Sequence, residues 1–86
     1  MTEIQEVLIQ VVEERKRQDA KWGEQNHSPY QWLAILTEEV GEYAQAILHD
    51  EFGGSHAGTA EEEMLHVAAV AIQILEWYKR REAQNG

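Results

Sequence analysis

Cysteine is absent from this chain of 86 residues, and proline occurs only once. Without thiols the protein can form neither disulfide bonds nor thiolate metal sites, and it has no cysteine nucleophile. Long apolar runs are also missing: the longest, residues 67–75, is interrupted by Gln73 and is well short of the roughly 18 residues that a membrane-spanning helix needs. The acidic N-terminal segment does not resemble a signal peptide. We therefore expect a cytoplasmic protein with no membrane partner.

Basic residues are scarce as well, with 7 Lys and Arg against 16 Asp and Glu and a net charge of -9. Such a field repels phosphate-rich polymers, so we expect no nucleic-acid polymer as a partner. The acidic residues concentrate at positions 38–42 and 61–63. Four basic residues lie in the first third of the chain: Arg15, Lys16, Arg17 and Lys21. They can balance either phosphates or the carboxylates of the second helix, and we expect most of them to pair with those carboxylates.

The few helix-breaking residues divide the chain into three segments, and each segment begins with a helix start signal. Thr2, Ser28 and Thr59 are each followed three residues later by Gln or Glu, which is the pattern of a capping box. Pro29 occupies the first helical position, where its missing N–H costs nothing. The pattern predicts three helices, over residues 2 to about 21, 29 to about 49 and 60 to about 81, in an all-α single domain spanning 1–86.

Apolar periodicity predicts which side of each helix is buried. Residues three or four apart share a face, and this spacing selects an apolar stripe in the second helix: Leu33, Leu36, Val40, Ala44 and Ile47, widened by Trp32 and Tyr43. The adjacent edge, at the border of the buried face, carries Ile35, Glu39, Glu42 and Ala46. The third helix differs, because residues 65–75 are apolar nearly all round. A helix of that kind is normally surrounded by protein, and two other helices are not expected to cover it. We therefore expect a homo-oligomer, either a dimer or a tetramer, that associates through the third helix into a four-helix-type bundle.

Two carboxylate clusters carry the chemistry that the sequence suggests. Glu39 and Glu42 share one helix face, as do Glu63 and His66 on another helix. If the two pairs face each other, they form a site for a hard divalent cation such as Mg²⁺, which shares its coordination with waters and phosphates. A carboxylate left uncoordinated, such as Glu38, can orient or deprotonate a water. The alternative for residues 61–63 is that they only stabilise the N-terminus of their helix.

The sequence from Glu38 to Glu42, with Glu63 about twenty residues later, resembles the signature of the all-α nucleoside triphosphate pyrophosphohydrolases. This superfamily includes MazG, the MazG-like proteins, the dimeric dUTPases and the dCTP pyrophosphatases. The resemblance extends over roughly residues 10 to 80 and includes the segments 15–23 and 27–36. It implies the hydrolysis of a nucleoside triphosphate between its α and β phosphates, which yields a monophosphate and pyrophosphate and requires Mg²⁺ or Mn²⁺.

The resemblance also implies roles for individual residues. Glu39, Glu42 and Glu63 match the metal-binding glutamates of the family, and Glu38 matches a glutamate that helps position water near the metal. Lys21, Trp22 and His27 match a stretch that helps hold the base and phosphates, although the tryptophan can equally plug a core edge and the histidine can be an ordinary loop residue.

The fourth ligand position is unusual, because His66 stands where the family pattern has aspartate in most members. Imidazole is a poorer ligand for Mg²⁺ than carboxylate and is better suited to Mn²⁺, Zn²⁺ or Ni²⁺. The substitution leaves two hypotheses open: an enzyme that is slow or differently metallated because of His66, or a non-catalytic helical oligomer with a degenerate site that binds a nucleotide or a protein partner. A third hypothesis is a purely structural acidic bundle.

Overall fold

The computed structural model describes residues 1–85, and over that range it contains three α-helices and no β-strand. The helices are α1 (Glu3–Trp22), α2 (Pro29–Phe52) and α3 (Ala60–Asn85). The all-α prediction is confirmed. Two of the helices end later than predicted, because α2 continues to the first glycine that adopts a positive φ, Gly53 at 89°, and α3 meets no helix breaker before Asn85. Among the described residues, no helix combines the length and apolar composition needed to cross a membrane.

Two of the three predicted capping boxes form. At the start of α2 the Ser28 hydroxyl accepts from the N–H of Gln31 at 3.2 Å, and the Gln31 side chain accepts from the N–H of Ser28 at 2.8 Å. Thr2 and Gln5 make the equivalent pair at the start of α1. Before α3, the Thr59 hydroxyl instead donates to the carbonyl oxygen of His56 at 2.6 Å. Its hydroxyl therefore closes the preceding turn.

The central element is α3, which packs against both other helices, whereas α1 and α2 make no close backbone contact with each other in the described part of the chain. The apolar core is small. It contains one large side chain that is almost fully buried, Trp32 at 2% exposure, and five others: Val11, Ala46, Ala69, Val70 and Trp77. Arg15 is also buried, and it donates to Glu76 of α3 at 2.7 Å. This ion pair fastens the second half of α1 to α3.

The buried face of α2 differs from the predicted one. Four of the five central residues of the predicted stripe are exposed. The side that meets α3 lies about a quarter turn away, on Leu36, on the widening residues Trp32 and Tyr43, and on Glu39 and Ala46 of the adjacent edge. The periodicity correctly identifies an apolar stripe, but a single chain supplies only one neighbour for α2. That neighbour contacts the adjacent edge, where Glu39 lies. The predicted stripe therefore remains unpartnered on the outer side of α2.

The apolar section of α3 is covered more completely than expected. Between residues 65 and 75 only Ile72 and Leu75 are exposed, because α1 and α2 flank the helix on two sides. The larger uncovered apolar surface is on α1, whose first half projects beyond the other helices, so that every residue from 1 to 10 is exposed. This arm includes Ile4, Val7, Leu8 and Ile9.

The glycine-rich connection between α2 and α3 is fastened to the end of α2. The His49 ring accepts a hydrogen bond from the N–H of His56 at 3.0 Å, and the Asp50 carboxylate accepts from the N–H of Gly58 at 2.7 Å. Gly54, with φ of 147°, passes so close to the His49 ring that a Cβ atom there would overlap it. The connection thereby sets where α3 begins relative to α2, and so where Glu63 lies relative to Glu42.

Candidate metal centre

Four side chains from α2 and α3 converge at one place. Glu39, Glu42, Glu63 and His66 each present a ligand atom, and these atoms all lie within 4.8 Å of one another. Each helix contributes two residues spaced three apart, which places both on the same face, and the packing of α3 on α2 brings the two faces together. Glu39, Glu63 and His66 are half-buried, whereas Glu42 is exposed. The predicted set of four ligands is therefore brought together in space.

The cluster concentrates negative charge in a partly desolvated place. Burial raises the pKa of Glu39, and repulsion from Glu42, Glu63 and Glu38 raises it further, while the nearby His66 opposes these effects. Burial also raises the pKa of Glu42, and repulsion from Glu63 is the next largest cause. Both raised pKa values indicate that the ionised form of a carboxylate is unfavourable in this cluster without a counter-charge. A divalent cation would remove that penalty.

One oxygen of the cluster lacks a partner. Glu39 Oε2 is buried and accepts no hydrogen bond from any described residue. A buried carboxylate oxygen without a donor carries an uncompensated desolvation cost. Three carboxylates and an imidazole form a donor set that binds divalent cations. The unsatisfied oxygen, the donor types and the spacing of the ligand atoms together fit a metal ion held by these four residues.

The structure adds a fourth carboxylate beside the cluster that the sequence did not suggest. Glu14 of α1 lies with its Oε2 atom 3.9 Å from His66 Nε2, while His66 Nδ1 lies 3.3 Å from Glu63 Oε2. Arg17 donates to Glu14 at 2.6 Å through Nη2, and this hydrogen bond is the main reason that the pKa of Glu14 is lowered. No sequence signal could have found Glu14, since its role depends on how α1 crosses α3.

The basic residues of α1 do not bind the α2 carboxylates as expected. Arg15 pairs with Glu76 at 2.7 Å and with Asp19 at 2.9 Å. Arg17 pairs with Glu14 at 2.6 Å. The expectation is wrong because α1 and α2 lie on different sides of α3, so that α1 side chains meet acidic residues of α1 and α3 instead.

An open cleft of about 490 Å³ adjoins the four-residue cluster. Glu39 and His66 form part of its wall, together with two of the residues predicted to bind substrate, Trp22 and His27. The remaining wall residues come from all three helices and the loop after α1: Arg17, Gln18, Gln25, Ile35, Val70 and Gln73. The cleft has the size of a small-molecule site, and it combines apolar surface with polar groups beside the candidate ligands.

The other predicted site residues lie around this cleft in different ways. Lys21 is not part of its wall; its Nζ atom lies 4.8 Å from the centre of the Trp22 ring. His27 makes an edge contact with Trp32 at 4.8 Å and shares a hydrogen bond of 2.9 Å with the Gln25 side chain, which holds its ring at the cleft wall. Glu38 is exposed and is not one of the four clustered ligands, although its charge contributes to the raised pKa of Glu39.

Comparison with known proteins yields no relative, since no family model, curated protein or solved structure matches this chain. The likeness to the pyrophosphohydrolases therefore rests on the carboxylate motif of residues 38–42 with Glu63 and on the segments 15–23, 27–29, 32–36, 67–71 and 75–77. The geometry of the cluster and the cleft is the remaining source of information about function.

Proposed function

We propose that the protein is a metal-dependent nucleoside triphosphate pyrophosphohydrolase, which converts a nucleoside or deoxynucleoside triphosphate and water into the monophosphate and pyrophosphate. The observation that carries the proposal is the contact between two features: Glu39 and His66 of the four-ligand cluster form part of the wall of a cleft of about 490 Å³ that also contains apolar surface. A triphosphate needs both, because its charge requires a cation and its base requires apolar surface.

Different side chains would bind the metal, contact the base, orient a water and contact the phosphates. Glu39, Glu42, Glu63 and His66 would hold Mg²⁺ or Mn²⁺, which neutralises phosphate charge and lowers the pKa of a coordinated water. Trp22 offers an exposed indole face to a base at the cleft wall. The exposed carboxylate of Glu38 is free to orient a water beside the cluster. His27 at the cleft wall, and Lys21 beside Trp22 outside the wall, are the groups that we expect to contact the phosphates.

The test is a panel of nucleoside and deoxynucleoside triphosphates incubated with the purified protein and Mg²⁺ or Mn²⁺, with pyrophosphate measured as the product. We expect release from at least one nucleotide, and we expect Glu42→Gln to abolish it. Glu13→Gln is the matched control, because Glu13 is an exposed carboxylate of α1 outside the cluster and the cleft. No release across the panel, or equal release from the Glu42→Gln and Glu13→Gln proteins, would falsify the proposal.

A second function is favoured by one observation, the presence of an imidazole at the fourth ligand position. His66 Nδ1 contacts Glu63 Oε2 at 3.3 Å, so the histidine meets a carboxylate that the metal also needs. On this alternative the protein binds a nucleotide or a protein partner without hydrolysing it. His66→Asp discriminates the two: a large gain of pyrophosphate release over the wild type indicates a degenerate site, whereas a loss indicates that His66 belongs to a working one.

We further propose that copies of the chain associate into a larger bundle, as a dimer or a tetramer. The radius of gyration is 14.7 Å, against about 12 Å for a compact chain of this length. The accessible surface is 6264 Å², against roughly 5,200 Å² for a folded monomer of this mass. The excess of about 1,000 Å² is comparable with the roughly 800 Å² that each partner buries in a standard interface.

The surface that suits this association is a groove of about 270 Å³ between the projecting arm of α1 and the exposed side of α3. Leu8, Val12 and Ile72 line it, and a helix of a second copy can fill it. Sedimentation velocity tests the proposal: we expect an oligomer for the wild type, a monomer for Leu8→Glu, and an oligomer for Phe52→Glu, an exposed position at the end of α2 outside the groove. A monomeric wild type at micromolar concentration contradicts it.

A further inference from the structure

Glu14 is the best-shielded carboxylate of α1, and it lies beside the candidate metal centre. Its side chain is 12% exposed, although it belongs to a helix most of whose residues are exposed. Arg17 holds it from the solvent side: Nη2 donates to Oε2 at 2.6 Å, and Nε donates to Oε1 at 2.8 Å. A two-point contact of this kind fixes the plane of the carboxylate. The Glu14 carboxylate is therefore held in one orientation.

The fixed carboxylate faces one nitrogen of His66, while the other nitrogen faces the cluster. Nε2 lies 3.9 Å from Glu14 Oε2, and Nδ1 lies 3.3 Å from Glu63 Oε2. A neutral imidazole has one N–H and one lone pair, so that only one nitrogen can bind a cation. The contact between Nδ1 and the Glu63 carboxylate at 3.3 Å needs a proton on Nδ1, because an ionised carboxylate only accepts. A cation on the cluster side would take the Nδ1 lone pair and leave the proton on Nε2, which faces Glu14 Oε2 at 3.9 Å, a distance of charge attraction and not of a hydrogen bond. An outer carboxylate that orients a histidine ligand is a recurrent arrangement in metal sites.

We propose that Glu14 is a positioning residue whose negative charge favours His66 with its proton on Nε2 and its Nδ1 lone pair directed at a bound cation, and that this pair makes the centre select Mn²⁺ over Mg²⁺. The inference rests on the proposed metal site. Its chemical reason is that an imidazole with a fixed orientation and raised basicity favours a cation that accepts nitrogen, whereas Mg²⁺ prefers oxygen ligands. Arg17 participates indirectly, because it orients Glu14.

Metal affinity in the absence of nucleotide tests this directly. Isothermal titration calorimetry with Mn²⁺ and separately with Mg²⁺ is carried out on the full-length wild type, Glu14→Gln, and Glu13→Gln, which changes the net charge equally at the adjacent, exposed position. We expect Glu14→Gln to weaken Mn²⁺ binding about 10- to 100-fold and to change Mg²⁺ binding no more than Glu13→Gln does. Circular dichroism melting of each variant verifies that the fold is retained.

Combining Glu14→Gln with His66→Asp tests whether Glu14 acts on the metal through the histidine. In a His66→Asp background there is no imidazole to orient, so Glu14→Gln is expected to leave Mn²⁺ affinity unchanged, and the preference for Mn²⁺ over Mg²⁺ is expected to shrink. Equal weakening of Mn²⁺ and Mg²⁺ by Glu14→Gln, or an undiminished Glu14 effect in the His66→Asp protein, overturns the inference. Absence of Mn²⁺ binding by the wild type is a different result, because it overturns the proposed metal site itself.

Discussion

Replacing Glu39 by glutamine should raise the stability of the metal-free protein and at the same time weaken its metal binding. Glu39, Glu42 and Glu63 present oxygens within 4.8 Å of one another. At that distance two ionised carboxylates repel by roughly 1 kcal/mol in water and by about 3.5 kcal/mol at the lower effective dielectric near a protein surface. Because the cluster is partly exposed, the water value is the appropriate one. Glu39→Gln removes two such repulsions, so the metal-free protein should gain about 2 kcal/mol.

The same substitution should remove the effect of the metal. At a Mn²⁺ concentration about 100 times its Kd, the wild type should gain about 2.7 kcal/mol, because the ion binds only the folded state. For a domain of this size, each kcal/mol moves the melting temperature by about 4–8 °C. The glutamine variant should therefore melt higher than the wild type without metal and show little further rise with it.

The assay is a pair of thermal melts, with chelator and with saturating Mn²⁺, for the wild type, Glu39→Gln and Glu13→Gln. Glu13→Gln changes the net charge by the same amount on an exposed part of α1, and it should leave the metal-induced rise intact. The reasoning is refuted if Glu39→Gln is no more stable than Glu13→Gln without metal, or if it keeps the full rise with Mn²⁺.

Three further outcomes can be measured by urea unfolding. Burial and like charges raise the folded-state pKa values of Glu39 and Glu42, so the folded state holds protons more tightly than the unfolded chain. The contribution of these two groups to the free energy of unfolding should therefore fall as pH rises through the raised pKa values. Saturating Mn²⁺ should reverse that dependence. Gly54→Ala should cost about 1–3 kcal/mol of stability for its positive φ and more because the new Cβ overlaps the His49 ring, whereas the Cβ of Gly53→Ala meets nothing within 4 Å. Equal losses of stability in the two variants would contradict the close packing of this connection. Gly41→Ala should stabilise α2 by about 1 kcal/mol, since its Cβ also meets nothing within 4 Å; a loss would indicate that another chain packs there.

The helices and the ligand pairs were predictable from short stretches of sequence. Capping at Thr2 and Ser28 depends on residues three positions apart, and the pairing of Glu39 with Glu42 depends on the same spacing along one helix. These are local properties of the backbone, and no knowledge of the tertiary structure is needed to obtain them. The motif spacing also indicated which two helices carry the ligands.

The buried side of α2 was not predictable in the same way. Its apolar stripe through Leu33 and Val40 is real, yet in the single chain both residues are exposed, and the buried residues are Trp32 and Ala46 at the border of the stripe. An apolar stripe indicates only that some surface needs a partner, and it does not say whether that partner is the same chain or another copy. The mismatch between stripe and burial itself favours association.

The amino-acid sequence alone determines three helices and two pairs of metal-type ligands. Both helix capping and the sharing of a helix face depend only on residues three or four positions apart. How α3 lies between α1 and α2 is decided only in three dimensions. That arrangement brings the two ligand pairs within 4.8 Å, places Glu14 beside His66 and opens a cleft against the cluster. These contacts join residues as far apart in sequence as Glu14 and His66, and the packing of whole helix faces determines them.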